Sequence, residues 1–125
     1  MITLFLIVIA GIFNACMDVL QFKFNGSIFK NWKNQKWIDP VKSHANKWKY
    51  VNGIWAGEKF FGSSTFLVFL TDFWHLCKFL MLLSISFAVV LYNPLINLYV
   101  DVFLMYCAFT VTFELFYSKI LIRKL

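Results

Sequence analysis

Charged residues are scarce in this sequence. Asp, Glu, Lys and Arg make up 14% of the 125 residues, whereas a soluble globular domain usually carries about 25%. The hydrophobic fraction is 61% and the mean hydropathy is +0.70. A chain of this composition cannot cover its own surface with polar groups in water. The composition therefore excludes a disordered chain, a coiled coil and an ordinary soluble enzyme.

Cysteine is sparse, and the familiar catalytic motifs are missing. The three cysteines, Cys16, Cys77 and Cys107, are an odd number and form no C-x-x-C. A disulfide framework or a zinc ribbon is therefore not supported, and we expect small, reduced packing residues. The chain contains no H-E-x-x-H, G-x-S-x-G, P-loop or G-x-G-x-x-G. No motif assigns a reaction.

Three long apolar stretches are present, at about residues 2–22, 63–92 and 95–122. Each is long enough to cross a hydrocarbon core of about 30 Å as a helix. The small residues of Gly62-Ser63-Ser64-Thr65 are candidate caps for the second helix. Asn93-Pro94 ends that helix, so that the second and third helices are expected to form a tight hairpin. The predicted fold is all-α integral membrane, one domain over residues 1–125 with three transmembrane helices.

The basic residues are unevenly distributed along the chain. Eight of the twelve lie in the loop at residues 23–62, and Lys119, Arg123 and Lys124 lie near the C-terminus. Basic residues concentrate in loops that stay in the cytoplasm. We therefore predict an N-out, C-in topology. Nucleic acid is not an expected partner, because this bias already explains the lysines.

The basic loop also holds four of the five tryptophans, which are Trp32, Trp37, Trp48 and Trp55. Asp39 as cap and Pro40 at the first helical position predict a short amphipathic helix from Val41 to about Tyr50. Trp and Lys side chains favour the headgroup layer of a bilayer. The loop is thus predicted to lie on the inner leaflet, with membrane lipid as its partner. The expected headgroup contacts are Lys42, Lys47, Lys49 and Trp48.

Polar residues interrupt all three apolar stretches. Helical spacing predicts one inward polar face on each span; these faces carry Asn14 and Asp18, then Asp72 and His75, then Cys107, Thr110, Glu114 and Tyr117. An ionisable residue inside a membrane is a functional-site hypothesis by default. The candidate catalytic residues, and the candidate ligands of a divalent metal, are Asp18, Asp72, His75 and Glu114.

The alternative to a functional site is a buried ion-pair network, in which Lys78 or His75 neutralises Asp72. Asp101 is expected to face water at the outer end of its span, and His44 to face solvent or the interface. Asp39 is expected to be only a cap, and Glu58 a loop charge.

Several sequence segments carry a family resemblance. The segments are S-I-F-K-N-W, W-I-D-P-V-K-S-H-A-N-K-W-K, G-E-K-F-F-G-S-S-T and L-T-D-F-W-H-L-C-K-F-L. They resemble uncharacterised small polytopic membrane proteins of bacteria and their phages. This resemblance implies no particular activity. The expected location is the bacterial inner (cytoplasmic) membrane.

Three functions are compatible with these patterns. The first is a metal-dependent hydrolase or transferase that acts on lipid headgroups at the inner leaflet. The second is a proton- or ion-conducting or transport protein, in which Lys78 and Asp101 continue the polar pathway outward. The third is a non-enzymatic accessory subunit of a larger membrane complex. Three helices barely enclose a site, so a homo-oligomer or other membrane subunits are expected in each case.

Overall fold

The computed structural model describes residues 1–124, and the protein is mostly helical (68%). In chain order the helices are α1 (Ile2–Phe22), α2 (Gln35–Ile38), α3 (Pro40–Ser43), α4 (Phe73–Val90) and α5 (Leu98–Leu115), with strands β1 (Trp48–Val51) and β2 (Ile54–Glu58) between α3 and α4. A π-helical turn, Phe116–Ile120, extends α5. The helices α1, α4 and α5 with its extension are long and apolar enough to cross a membrane. The first of them covers the predicted residues.

The central helix of the bundle is α1. It packs against both α4 and α5, while α4 and α5 make few contacts with each other. The predicted tight hairpin between the second and third long helices is therefore wrong. The reason lies in the small residues of α1, which allow close approach of neighbouring helices. At Gly11 a Cβ atom would lie only 3.0 Å from the carbonyl oxygen of Phe109 in α5.

The helix α4 begins at Phe73, ten residues after the start predicted at residue 63. Asp72 is its N-cap and accepts a hydrogen bond from the backbone N–H of His75 at 2.8 Å. The predicted capping residues instead stabilise the preceding loop. The Ser63 hydroxyl donates to the carbonyl of Lys47 at 2.7 Å, and the Ser64 hydroxyl donates to the carboxylate of Glu58. Residues 63–72 therefore belong to the loop and not to the helix.

Glu58 does more than place a charge in this loop. Its carboxylate accepts hydrogen bonds from the Ser64 hydroxyl and from the backbone N–H groups of Gly62 and Ser64. These hydrogen bonds hold the pKa of Glu58 below its ordinary value. The ionised side chain thus fixes the turn that follows β2.

The segment predicted as one helix from Val41 to Tyr50 contains the end of a short helix, a 3₁₀ turn and part of a strand. Asp39 does cap α3, accepting from the N–H of Val41 at 2.9 Å, with Pro40 at the first position. The helix ends at Ser43, however, and after the 3₁₀ turn His44–Lys47 the chain forms an antiparallel hairpin of β1 and β2. The hairpin turn has positive φ at Asn52 (52°) and Gly53 (77°). Asn-Gly is the preferred pair for such a turn.

The loop folds over one end of the bundle, which we call the basic end. Phe29 is fully buried there, and its ring packs edge-on against Trp32 (4.9 Å between centroids) and Phe73 (5.5 Å). Trp37 also contacts Phe73, at 5.4 Å. The N–H of Ile28 donates to the carbonyl of Leu121 at 3.0 Å, which ties the chain after α5 to this cap. Tryptophans of the loop therefore contribute to a packed core.

The opposite end of the bundle is organised by Asp101. The prediction that this residue faces water is wrong, because the side chain is only 1% exposed. Its carboxylate accepts hydrogen bonds from the Tyr92 hydroxyl at 2.9 Å and from the backbone N–H groups of Leu95 at 2.8 Å and Ile96 at 3.2 Å. Asn97 caps α5 by accepting from the N–H of Val100. Asp101 thus holds the turn between α4 and α5.

Candidate functional site

The strongest constellation of polar groups is the pair formed by Asp72 and His75. The Nδ1 atom of His75 lies 2.9 Å from one carboxylate oxygen of Asp72 and 2.8 Å from the other. A ring nitrogen that faces a carboxylate carries the hydrogen, so Nδ1 donates to Asp72. The Nε2 atom makes no hydrogen bond to any residue between 1 and 124. The pair therefore presents an oriented imidazole whose second nitrogen is available.

The helix start explains why these two side chains meet. Asp72 as N-cap and His75 three residues later lie on the same side of the first turn of α4. Burial of Asp72, which is 4% exposed, opposes its ionisation. Hydrogen bonds from the ring and the backbone N–H of His75, together with the positive charge of Lys47, outweigh burial and hold the pKa of Asp72 below its ordinary value. The carboxylate is thus ionised and fixes the ring.

A pocket of about 230 Å³ opens beside this pair. Its lining combines two histidines, a cation and a hydroxyl group, and consists of Gln21, Pro40, Ser43, His44, Lys47, Asp72, Trp74 and His75. His44 is exposed and Ser43 is buried. Sequence reasoning did not include Gln21 or Ser43, because they belong to separate segments that only the folded loop brings to α4. The arrangement can accept a proton at His75 and attract an anion through Lys47.

The other predicted site residues lie elsewhere. Asp18 and Asn14 are half-buried on α1. Glu114 is exposed and accepts a hydrogen bond from the Ser118 hydroxyl. Across residues 1–124, no three His, Cys, Asp or Glu side chains are grouped so that they could hold a metal ion. The structure therefore does not bring Asp18, Asp72, His75 and Glu114 together within one chain.

The predicted inward stripe on α5 is only half present: Tyr117 packs against the core and Cys107 is half-buried, whereas Thr110 and Glu114 face outward for a geometric reason. The helix approaches α1 at Phe109 and Thr112, and Phe113 packs against the core. Successive residues of a helix are about 100° apart, so a residue next to Phe113 points to another side. Glu114 and Thr110 are accordingly exposed.

The structure places the lysines named in the sequence analysis, and it decides the partner of Asp72 only. The Nζ atom of Lys78 lies 5.5 Å from the ring centroid of Trp74, and the residue is exposed. His75 and not Lys78 is therefore the partner of Asp72. The predicted headgroup contacts lie in different places. Lys47 lines the pocket, and Lys42 lies 4.0 Å from Asp39. Lys49 is exposed on β1, and Trp48 packs edge-on against Trp55.

Comparison with known proteins identifies no relative, since no family model, no curated protein and no solved structure matches this chain.

Proposed function

We propose that this protein is an integral membrane protein that acts on anionic lipid headgroups, with Asp72 and His75 as its acid–base pair. The observation that carries this proposal is the contact of His75 Nδ1 with both Asp72 oxygens at 2.8 and 2.9 Å, beside a pocket lined by Lys47. Three helices that are long and apolar enough to cross a membrane support the membrane part of the proposal. The pair lies at the first turn of α4, where a polar pocket can meet a lipid headgroup.

In the proposed step, His75 Nε2 removes a proton from water while Asp72 keeps the ring oriented and stabilises the imidazolium. The water oxygen forms a bond to the phosphorus of the headgroup phosphodiester. The ester bond breaks, and His75 returns the proton to the departing oxygen. Lys47 stabilises the negative charge that develops on the substrate. Each of these roles belongs to a side chain that lines the same pocket.

The test is release of a water-soluble headgroup from vesicles of anionic phospholipid that contain the reconstituted protein. We expect His75→Gln and Asp72→Asn to lower the rate by about 100-fold, a typical contribution of a positioned acid–base group. Glu114→Gln is the matched control, because Glu114 is exposed on α5, and we expect it to retain the wild-type rate.

Two outcomes contradict the proposal. If the wild-type protein releases nothing above protein-free vesicles, the lipid-headgroup chemistry is refuted. If Glu114→Gln and Asp18→Asn are as damaging as His75→Gln, the active unit is a larger site that oligomer contacts assemble.

The proposed orientation is N-out and C-in, in a bacterial cytoplasmic membrane. The lysine-rich loop and the C-terminal residues Lys119, Arg123 and Lys124 lie at the basic end, which the positive-inside bias assigns to the cytoplasm. We expect a fusion to alkaline phosphatase, active only outside the cytoplasm, to be active at Asn93 and inactive after Leu125. A fluorescent protein that folds only in the cytoplasm should give the reverse pattern. Equal activity of the phosphatase at both positions would contradict three crossings.

A second candidate function is a packing subunit of a membrane complex or homo-oligomer. The observation that favours it is the low burial of two helices, since only 11% of the α4 span and 6% of the α5 span are buried within the chain. Such faces fit either lipid or a partner helix. Chemical crosslinking in native membranes distinguishes the two alternatives. If the helix faces contact only lipid, the protein is recovered only as a monomer.

A further inference from the structure

A second, larger concavity of about 880 Å³ lies at the basic end, next to the pocket of Asp72 and His75. The two share Gln21 and Pro40 in their linings. The larger one runs past the end of α1, where Leu20 and Phe22 line it, to the start of α3. We call it the lysine groove, because Lys23, Lys30 and Lys42 all line it.

The charges of the groove are poorly balanced within the protein. Among residues 1–124, Asp39 is its one acidic lining residue, and that carboxylate already accepts a hydrogen bond from Val41 and pairs with Lys42 at 4.0 Å. In the chain up to residue 124, neither Lys23 nor Lys30 forms a salt bridge. Within the described part of the chain, the groove therefore has two ammonium groups without an acidic partner.

Aromatic rings position those two lysines. The Nζ atom of Lys23 lies 3.7 Å from the ring centroid of Tyr117, and the Nζ atom of Lys30 lies 5.1 Å from that of Phe24. Cation–π contacts of this kind favour a charged amine in a fixed place. The groove thus presents ordered positive charge before any ligand arrives.

Apolar side chains accompany these charges. Phe22 is 67% exposed at the last residue of α1, and Val41 is 86% exposed at the start of α3. Both residues line the groove. A ligand that meets these side chains and the lysines together must carry an anionic group next to a hydrocarbon part.

From this juxtaposition we propose that the lysine groove binds one anionic glycerophospholipid, with its phosphate between Lys23, Lys30 and Lys42 and its acyl chains along the end of α1. The proposal rests on the proposed function to the extent that this lipid is the substrate delivered to His75. A phosphodiester carries the negative charge that three lysines attract, and the span end at Phe22 sets the groove at the depth of the lipid phosphates.

The test measures lipid binding, not turnover. Phosphatidylglycerol is titrated into the full-length protein in neutral detergent, and bound lipid is counted by native mass spectrometry. The groove variant is Lys23→Gln/Lys30→Gln/Lys42→Gln. Its matched control is Lys33→Gln/Lys36→Gln/Lys59→Gln, which removes the same charge from exposed lysines outside the groove.

We expect the groove variant to raise the Kd for phosphatidylglycerol at least about tenfold, since one lysine near an anionic lipid contributes roughly fivefold in affinity. The control variant should change the Kd less than about threefold. Phosphatidylcholine of the same acyl chains, which is zwitterionic, should bind the wild-type protein at least about tenfold more weakly.

Three outcomes overturn the proposal. These are an equal loss in both triple variants, equal binding of phosphatidylcholine, and equally effective competition by glycerol phosphate or inorganic phosphate, which would make the ligand a soluble anion. The His75→Gln variant separates this proposal from the proposed function. Specific lipid binding by wild type and by His75→Gln, with no headgroup release by wild type, keeps the lipid site and refutes only the chemistry.

Discussion

Replacing Asp101 by alanine is expected to lower the free energy of unfolding by about 4 kcal/mol. The carboxylate is 1% exposed and accepts three hydrogen bonds, from the Tyr92 hydroxyl and from the N–H groups of Leu95 and Ile96. Alanine leaves all three part-buried donors without their acceptor, and each lost hydrogen bond to a charged acceptor costs about 1.5 kcal/mol. The measurement is reversible unfolding in mixed micelles.

Two milder variants calibrate the Asp101 result. Tyr92→Phe removes one donor and keeps the carboxylate, so we expect a loss of about 1.5 kcal/mol. Asn97→Ala removes the N-cap of α5 and should cost about 1 kcal/mol. If Asp101→Ala were no more destabilising than Asn97→Ala, the carboxylate would not be holding the turn between α4 and α5.

The second large effect concerns Asp72, which both caps α4 and binds His75. We expect Asp72→Ala to cost about 3 kcal/mol, the sum of a lost N-cap and a lost hydrogen bond to a charged acceptor. Asp72→Asn should cost about 2 kcal/mol, because asparagine is an equally good N-cap and only the charge is removed. The difference between the two variants therefore measures the cap by itself.

Low pH should weaken the stabilising interaction of Asp72 with His75. Because the pKa of Asp72 is held below its ordinary value of about 3.9, its contribution to stability is fully present above that value. It is lost as the pH falls through the lower pKa of the folded state. Below about pH 4 the stability of the wild-type protein should thus fall more steeply than that of Asp72→Asn. Parallel curves for the two proteins would show that the ionised carboxylate does not stabilise the fold.

The same residue marks where sequence reasoning succeeded and where it did not. The apolar run of α1 contains Asn14 and Asp18 but no proline, and its helix was predicted at the observed residues. The run at residues 63–92 contains Asp72, which was interpreted as an intramembrane charge although Asp is also a preferred N-cap. Local capping chemistry decided the outcome, and the helix begins at Phe73.

The hairpin and the groove differ in how far the sequence could have revealed them. Asn52-Gly53 lies between two short segments rich in aromatic and β-branched residues, which is a recognised hairpin signal, so β1 and β2 were predictable in principle. The lysine groove was not, because Lys23, Lys30 and Lys42 come together only when the loop folds against the end of α1. The burial of the Asp101 side chain could not be predicted either, because it depends on the turn at residues 91–97.

The central position of α1 has a consequence for how the protein is made. The helices α4 and α5 are neighbours in the chain but make few contacts with each other, and both pack on a helix synthesised well before them. The last two helices therefore cannot stabilise each other as a local pair while they leave the ribosome. Assembly must wait for contacts between residues far apart in sequence, which form more slowly than local ones. During that interval the small residues Ala10, Gly11 and Ala15 of α1 lack the neighbours that bury them in the folded protein.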